Sequence, residues 1–104
     1  MPGVRRKAPS KISAEMILEA AEVLKCIGHP VRLEILELLD ERGEQTVTEI
    51  YEAVRVEQPV ASQHLGLMRD KGIVAARREG ANVWYRVRDE KVTRVLDCIR
   101  RCDL

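Results

Sequence analysis

A chain of 104 residues holds one domain, large enough for a core and small enough to want a partner. With no phenylalanine, one tryptophan and two tyrosines, its core must be aliphatic, and a nucleic-acid surface that depends on aromatic stacking is excluded. The formal net charge of +1 hides a division: residues 13–57 carry four bases against eleven acids, whereas residues 58–88 carry six bases against two acids, so only one face suits a polyanion.

The start "MPGVRRKAPSK" has four bases and no acid, and residues 1–12 read as a flexible basic arm ahead of a single folded domain over 13–104. A first helix follows a Ser13 cap, with Met16, Ile17, Ala20, Val23, Leu24 and Ile27 at helical spacing and Gly28 as the stop. Pro30 opens a second helix, which turns Val31, Ile35, Leu36 and Leu39 to one side and ends at Gly43. Thr46 and Glu49 have the spacing of a capping box, so a short third helix carrying Val47, Ile50 and Val54 begins there. Pro59 fits the first turn of a fourth helix running to about Lys71 and closed by Gly72. Short helix, three-residue turn and second helix together are helix-turn-helix syntax.

"IVAARREGANVWYRVR" then reads as a two-stranded hairpin turning at "EGAN", with Val83, Tyr85 and Val87 on one face and Trp84, Arg86 and Arg88 on the other. A basic ribbon placed directly after a helix-turn-helix is a wing. Val92, Val95, Leu96 and Ile99 recur at i, i+3, i+4, i+7 and predict a fifth helix almost to the end of the chain. The fold class is therefore mainly α with a small two-stranded β-wing: a winged helix-turn-helix of five helices.

On the fourth helix Ala61, Leu65 and Met68 mark the buried side, which leaves Pro59, Ser62, Gln63 and Gly66 outward. Gln58, Pro59, Ser62, Gln63 and His64 are the helix's candidate DNA contacts, able to reach base edges and phosphates in a major groove. For His64, on the flank, packing is an equal alternative. Arg77 and Arg78 on the wing are placed for the phosphate backbone or an adjacent minor groove. His29 organises the junction before the second helix.

"HPVRLEILELL", "VTEI", "VASQHLGLMRDKGIV" and "RREGANVWYRV", in that order, resemble the ArsR/SmtB family of bacterial winged-helix repressors over roughly residues 14–100. The resemblance implies a homodimer whose first and last helices pair, an operator-binding helix at residues 58–71, and release of double-stranded DNA when an inducer binds. It leaves the inducer open. The family's C-x-C metal site would fall at Thr46 and Thr48, and its last-helix zinc site at Asp89, Lys91 and Cys102. Threonines supply no thiolate, and a lysine ammonium cannot stand in for a neutral imidazole. Glu57 also departs from the Ser or Thr that commonly caps the recognition helix in the family.

The three cysteines are an odd set without a secretory signal, which argues against a disulfide framework and for reduced thiols. Cys98 and Cys102 lie four apart on the last helix, with Cβ atoms about 5–6 Å from each other. A disulfide wants about 3.5–4.5 Å, so a soft ion would span the pair with less distortion. Cys26 is the candidate third thiol, within or across subunits, although packing is its plainer role. No resident cofactor is expected. The inducer classes left open are arsenite or a thiophilic metal ion held by Cys98 and Cys102 with Cys26, or redox and persulfide chemistry on these thiols.

No run of about 18 apolar residues exists, so a cytoplasmic protein with no membrane partner is expected. An enzyme is the weaker rival and is not expected: there is no glycine-rich phosphate loop, no paired catalytic motif and no G-x-S-x-G elbow. The alternative reading is a winged-helix protein–protein docking module without inducer sensing, which a salt titration of duplex binding separates from a repressor.

Overall fold

The computed structural model describes residues 11–102, so the basic arm lies largely outside the described residues. Helix α1 (Ala14–Ile27) starts where the Ser13 hydroxyl accepts the Met16 amide proton at 3.1 Å. It stops at Gly28, whose φ of −77° calls for no glycine, but a Cβ there would stand 3.0 Å from the Leu24 carbonyl oxygen. Two residues on, α2 (Pro30–Arg42) is capped by a ring: His29 Nδ1 accepts from the Val31 amide at 3.1 Å, while Pro30 lacks the amide the first turn would leave unpaired. Gly43 ends this helix at φ 79°, with its amide returned to the Leu39 carbonyl.

The chain then makes a two-residue strand, β1 (Gln45–Thr46), and Thr46 at once caps α3 (Val47–Val54). Both halves of the predicted capping box form, Glu49 N–H to Thr46 Oγ1 and Thr46 N–H to Glu49 Oε1. Arg55 takes the left-handed conformation at φ 61°, and the three residues 55–57 turn the chain into α4 (Gln58–Asp70). Strands β2 (Val74–Glu79) and β3 (Asn82–Val87) form the hairpin, and α5 (Glu90–Arg101) follows, capped by the Asp89 carboxylate on the Lys91 amide. Gly80 at φ 62° takes the left-handed first position of the two-residue turn.

The expected two-stranded wing carries a third strand. The sheet order is β1-β3-β2, antiparallel throughout, with Gln45 opposite Tyr85 and Thr46 opposite Trp84. Two residues are too few to leave an alternation in the sequence. Along β3, Tyr85 is buried, Val83 and Val87 are half-buried and Arg86 is exposed, in keeping with the two predicted faces.

The core is aliphatic, as the composition required: Ile27, Ile35, Leu36, Ile50, Leu65, Met68, Ile73, Val74 and Val92 are all but inaccessible to solvent. Arg100 fixes α5 to α2 through Asp40 at 3.0 Å, and the Thr93 hydroxyl donates to the same carboxylate at 3.3 Å. Helix α1 buries only part of its stripe. Only Val23 and Ile27 of the six stripe residues enter the core, joined by Cys26, while Met16, Ile17 and Leu24 stay 54%, 53% and 53% exposed. On α5, Val92 and Leu96 are buried and Ile99 is exposed. A single chain therefore leaves apolar surface uncovered on both its first and last helices. None of the helices among the described residues is long and apolar enough to cross a membrane.

Candidate nucleic-acid interface

Ala61, Leu65 and Met68 seat α4 on the core with no exposed surface, and this fixes which side of the helix faces out. Gln58, Pro59, Ser62 and Gln63 are exposed, and Gly66 is half-buried. Glu57 makes no side-chain capping bond; its carbonyl accepts from the Val60 and Ala61 amides at 3.0 and 3.1 Å, and Pro59 brings no amide to the first turn. Between the starts of α3 and α4 and the wing lies a cleft of about 230 Å³, lined by Thr46, Thr48, Gln58, Ser62 and Asn82 among others. Thr48 and Asn82 were not anticipated, because what makes them neighbours of Ser62 is the docking of hairpin against helix.

The two wing arginines part company. Arg77 grips the Glu44 carboxylate with Nε at 2.9 and 3.1 Å and Nη2 at 2.9 Å, reaches Glu79 at 3.6 Å, and lies 5.6 Å from the centre of the Trp84 ring. The hydrogen bond from Arg77 holds the Glu44 carboxyl below its ordinary range, and Glu44 in turn raises the guanidinium. Arg77, expected at the nucleic acid, is exposed and in the free protein also braces the wing: strand alternation puts it over Trp84, its partner across the ladder, on the side where the loop before β1 brings Glu44. Arg78, opposite Val83, is exposed and has no ion pair among the described residues. The Trp84 Nε1–H is buried and has no acceptor among the described residues.

His64 also turns inward. Its Nδ1 accepts from Arg32 Nε at 3.0 Å, and its ring centre lies 4.6 Å from that of His29. Burial lowers its pKa first, with smaller contributions from His29 and then Arg32. The residue lies half-buried between exposed Gln63 and buried Leu65, so of the two roles open to it the structure favours packing over contact with DNA. Arg32, which the sequence reading passed over, also donates to the Cys26 carbonyl at 2.7 Å and thereby joins α1, α2 and α4.

Cys98 and Cys102 are exposed and share a shallow groove of about 370 Å³ with Arg94, Asp97 and Arg101. Cys102 is the extended residue that caps α5, not part of its last turn, and its amide bonds back to the Cys98 carbonyl. Cys26 is buried in the α1–α4 region, its sulfur 4.0 Å from Arg32 Nη1. No three His, Cys, Asp or Glu side chains among the described residues form a group able to hold a metal ion, so the three thiols expected as one option are not gathered in the single chain. At the start of α5, the Lys91 ammonium pairs with Asp89 at 3.3 Å.

The family model for "Bacterial regulatory protein, arsR family" matches residues 29–76, which span α2 through the first part of β2. An uncharacterised HTH-type transcriptional regulator of Methanocaldococcus jannaschii is 38% identical over 81 residues, covering 78% of this chain and 91% of its own. Among solved structures, the AntR antimony-specific transcriptional repressor superposes with a TM-score of 0.81 at 28% identity, covering 88% of this chain and 83% of that one. A homodimeric winged helix-turn-helix DNA-binding domain from Mycobacterium bovis, described as a possible ArsR-family regulator, superposes at 0.73 with 33% identity, covering 91% and 87%.

Proposed function

The chain belongs to the arsR family of bacterial regulatory proteins and is a DNA-binding transcriptional repressor of that type, and from this premise we propose that it acts as a cytoplasmic homodimer released from its operator by a thiol-directed inducer. The observation that carries the reading is the exposed polar N-terminal half of α4 beside an exposed Arg78, on a chain whose α1 and α5 retain uncovered apolar surface. Helix α4 enters the major groove with Gln58, Pro59, Ser62 and Gln63 forward, and Arg78 rests on the backbone alongside. Pairing of α1 and α5 with their two-fold mates sets two such helices about 34 Å apart, one turn of duplex.

The inducer acts at Cys98 and Cys102. Both sulfurs are exposed in a shallow groove with Arg94, Asp97 and Arg101, open to a soft ion or a sulfur electrophile. A soft metal or metalloid ion is one inducer class, in keeping with the antimony specificity of AntR. Oxidation or persulfide formation is the other, favoured by the ready access to both sulfurs. Either must engage a dimer geometry that no longer fits the groove, with coupling of about 1–3 kcal/mol. The test is duplex binding by reduced protein challenged in turn with arsenite, zinc, peroxide and polysulfide. Cys98→Ser and Cys102→Ser should bind DNA normally and lose release, and Cys26→Ser reports whether a third thiol joins from across the dimer. If the triple Cys→Ser protein still releases DNA to every challenge that works on the wild type, the thiol mechanism is wrong.

A further inference from the structure

Arg32 occupies a position that the repressor reading leaves unused. From one guanidinium it donates through Nε to His64 Nδ1 at 3.0 Å and through Nη1 to the Cys26 carbonyl at 2.7 Å. One of those partners lies in the middle of the recognition helix α4, directly after Gln63, and the other in the last turn of α1, whose apolar face awaits the second subunit. Nothing else in the hydrogen-bond pattern of the described residues ties all three helices together through one side chain.

The bond has a condition attached. An arginine is always a donor, so His64 can serve it only as an acceptor, which requires Nδ1 to be unprotonated. His29 faces the His64 ring at 4.6 Å and has committed its own Nδ1 as acceptor to the Val31 amide. A proton on His64 would therefore meet a guanidinium and a second imidazole. The carboxylates that share a pocket with Arg32 and Cys26 are otherwise engaged: Glu22 of α1 pairs with Lys71 at 3.1 Å, and Asp70 at the end of α4 is exposed and paired weakly with Arg69 at 4.0 Å. The remaining groups from α1 are the Lys25 ammonium, which only adds positive charge, and the Cys26 thiol.

We propose that Arg32 is the positioning residue that holds the recognition helix against the dimerisation helix, and that its grip on His64, available only to the neutral imidazole, makes operator binding acid-labile. Burial beside these cations lowers the His64 pKa, which places the loss below the ordinary imidazole range. The sign follows from linkage: a histidine with a depressed folded-state pKa favours the native arrangement at neutral pH, and that preference fades as pH falls through the depressed value. Between the ordinary imidazole range and the lowered value, affinity for DNA should fall by up to about tenfold per pH unit, the signature of one linked proton, and level off below it.

The inference rests on the repressor reading, and the experiment separates the two. Reduced full-length protein is titrated at constant ionic strength, from about pH 8 to about pH 5, with a duplex of about 30 base pairs recovered from a random pool at neutral pH. Wild type should bind tightly at neutral pH and weaken in acid, whereas His64→Gln should give a flat profile. Arg32→Met should bind several-fold more weakly at neutral pH, also with a flat profile. His29→Asn keeps an acceptor for the cap and should keep the acid loss. An acid-insensitive wild type, an unchanged profile in His64→Gln, or abolition of the profile by His29→Asn each overturns the proposal. Absence of duplex binding at every pH would instead sink the repressor reading. The imidazole nitrogen shifts would then still decide the contact, since Arg32→Met must raise the His64 pKa if the guanidinium is bonded to it, and an unmoved value refutes the bond.

Discussion

Replacing Ile17 and Leu24 with glutamate tests whether the uncovered side of α1 is where two subunits meet. The residues stand seven apart, two helical turns, and each is 53% exposed in the single chain. Full burial of such a side chain contributes about 1.5–3 kcal/mol, so covering the exposed half of each contributes about 1 kcal/mol. A two-fold dimer contains four of them, for a total of about 4 kcal/mol, which corresponds to a roughly thousandfold change in dissociation constant. Carboxylates in their place also resist desolvation, so the thousandfold figure is a lower bound. Sedimentation velocity of reduced Ile17→Glu/Leu24→Glu protein should show monomer where the wild type is dimeric. Circular dichroism should be unchanged, because neither side chain supports the core of its own chain. A double variant that sediments as the wild-type dimer would refute the placement of the interface on this helix.

Gln63→Ala should relax discrimination at about one base pair per half-site by about 1–3 kcal/mol, whereas Arg78→Ala should weaken all duplexes alike and flatten the salt slope by about one unit, as competition binding at several salt concentrations would reveal. Arg55→Gly should raise stability by up to about 1 kcal/mol in urea unfolding, since a left-handed non-glycine residue costs about 1–2 kcal/mol and the added freedom of the unfolded chain returns only part of that. The Glu44 carboxyl, held low by Arg77, favours the folded state above its ordinary pKa near 4.5 and loses that effect as pH falls through the lowered value. Carbon-detected titration should therefore find the Glu44 pKa moved upward in Arg77→Met, and an unmoved value would show that the fork does not persist in solution.

What the sequence disclosed was local. The Thr46–Glu49 box, the Ser13 cap, the Pro30 and Pro59 starts and the burial of Ala61, Leu65 and Met68 all follow from residues within a turn or two of each other, and each formed as read. The Arg77–Glu44 fork and the Arg32–His64 bond join residues 33 and 32 apart, a separation that leaves no periodic trace. For the same reason the recognition-helix flank could not be divided between contact and packing, and His64 stayed with both. The α1 stripe shows a different limit. Helical spacing reveals that Met16, Ile17 and Leu24 share a side, but not whether the chain's own core or a second copy covers it. The thiols followed suit: a shared helix end put Cys98 and Cys102 together, while the burial of Cys26 with Val23 and Ile27 depended on how α1 meets the core.

Thr46 is the last residue of β1, opposite Trp84 in the ladder, and at the same time the cap of α3. Hairpin and helix-turn-helix therefore share a hinge pin with no slack on either side, and they tilt together like the jaw and handle of one tool. On the docking proposed above, a change that tilts α3 carries the wing with it, so the contacts of helix and wing with the duplex should weaken together. The Gly80–Ala81 tip lies beyond the last ladder pair, Glu79 opposite Asn82, so lengthening it should leave the aim of the helices unchanged.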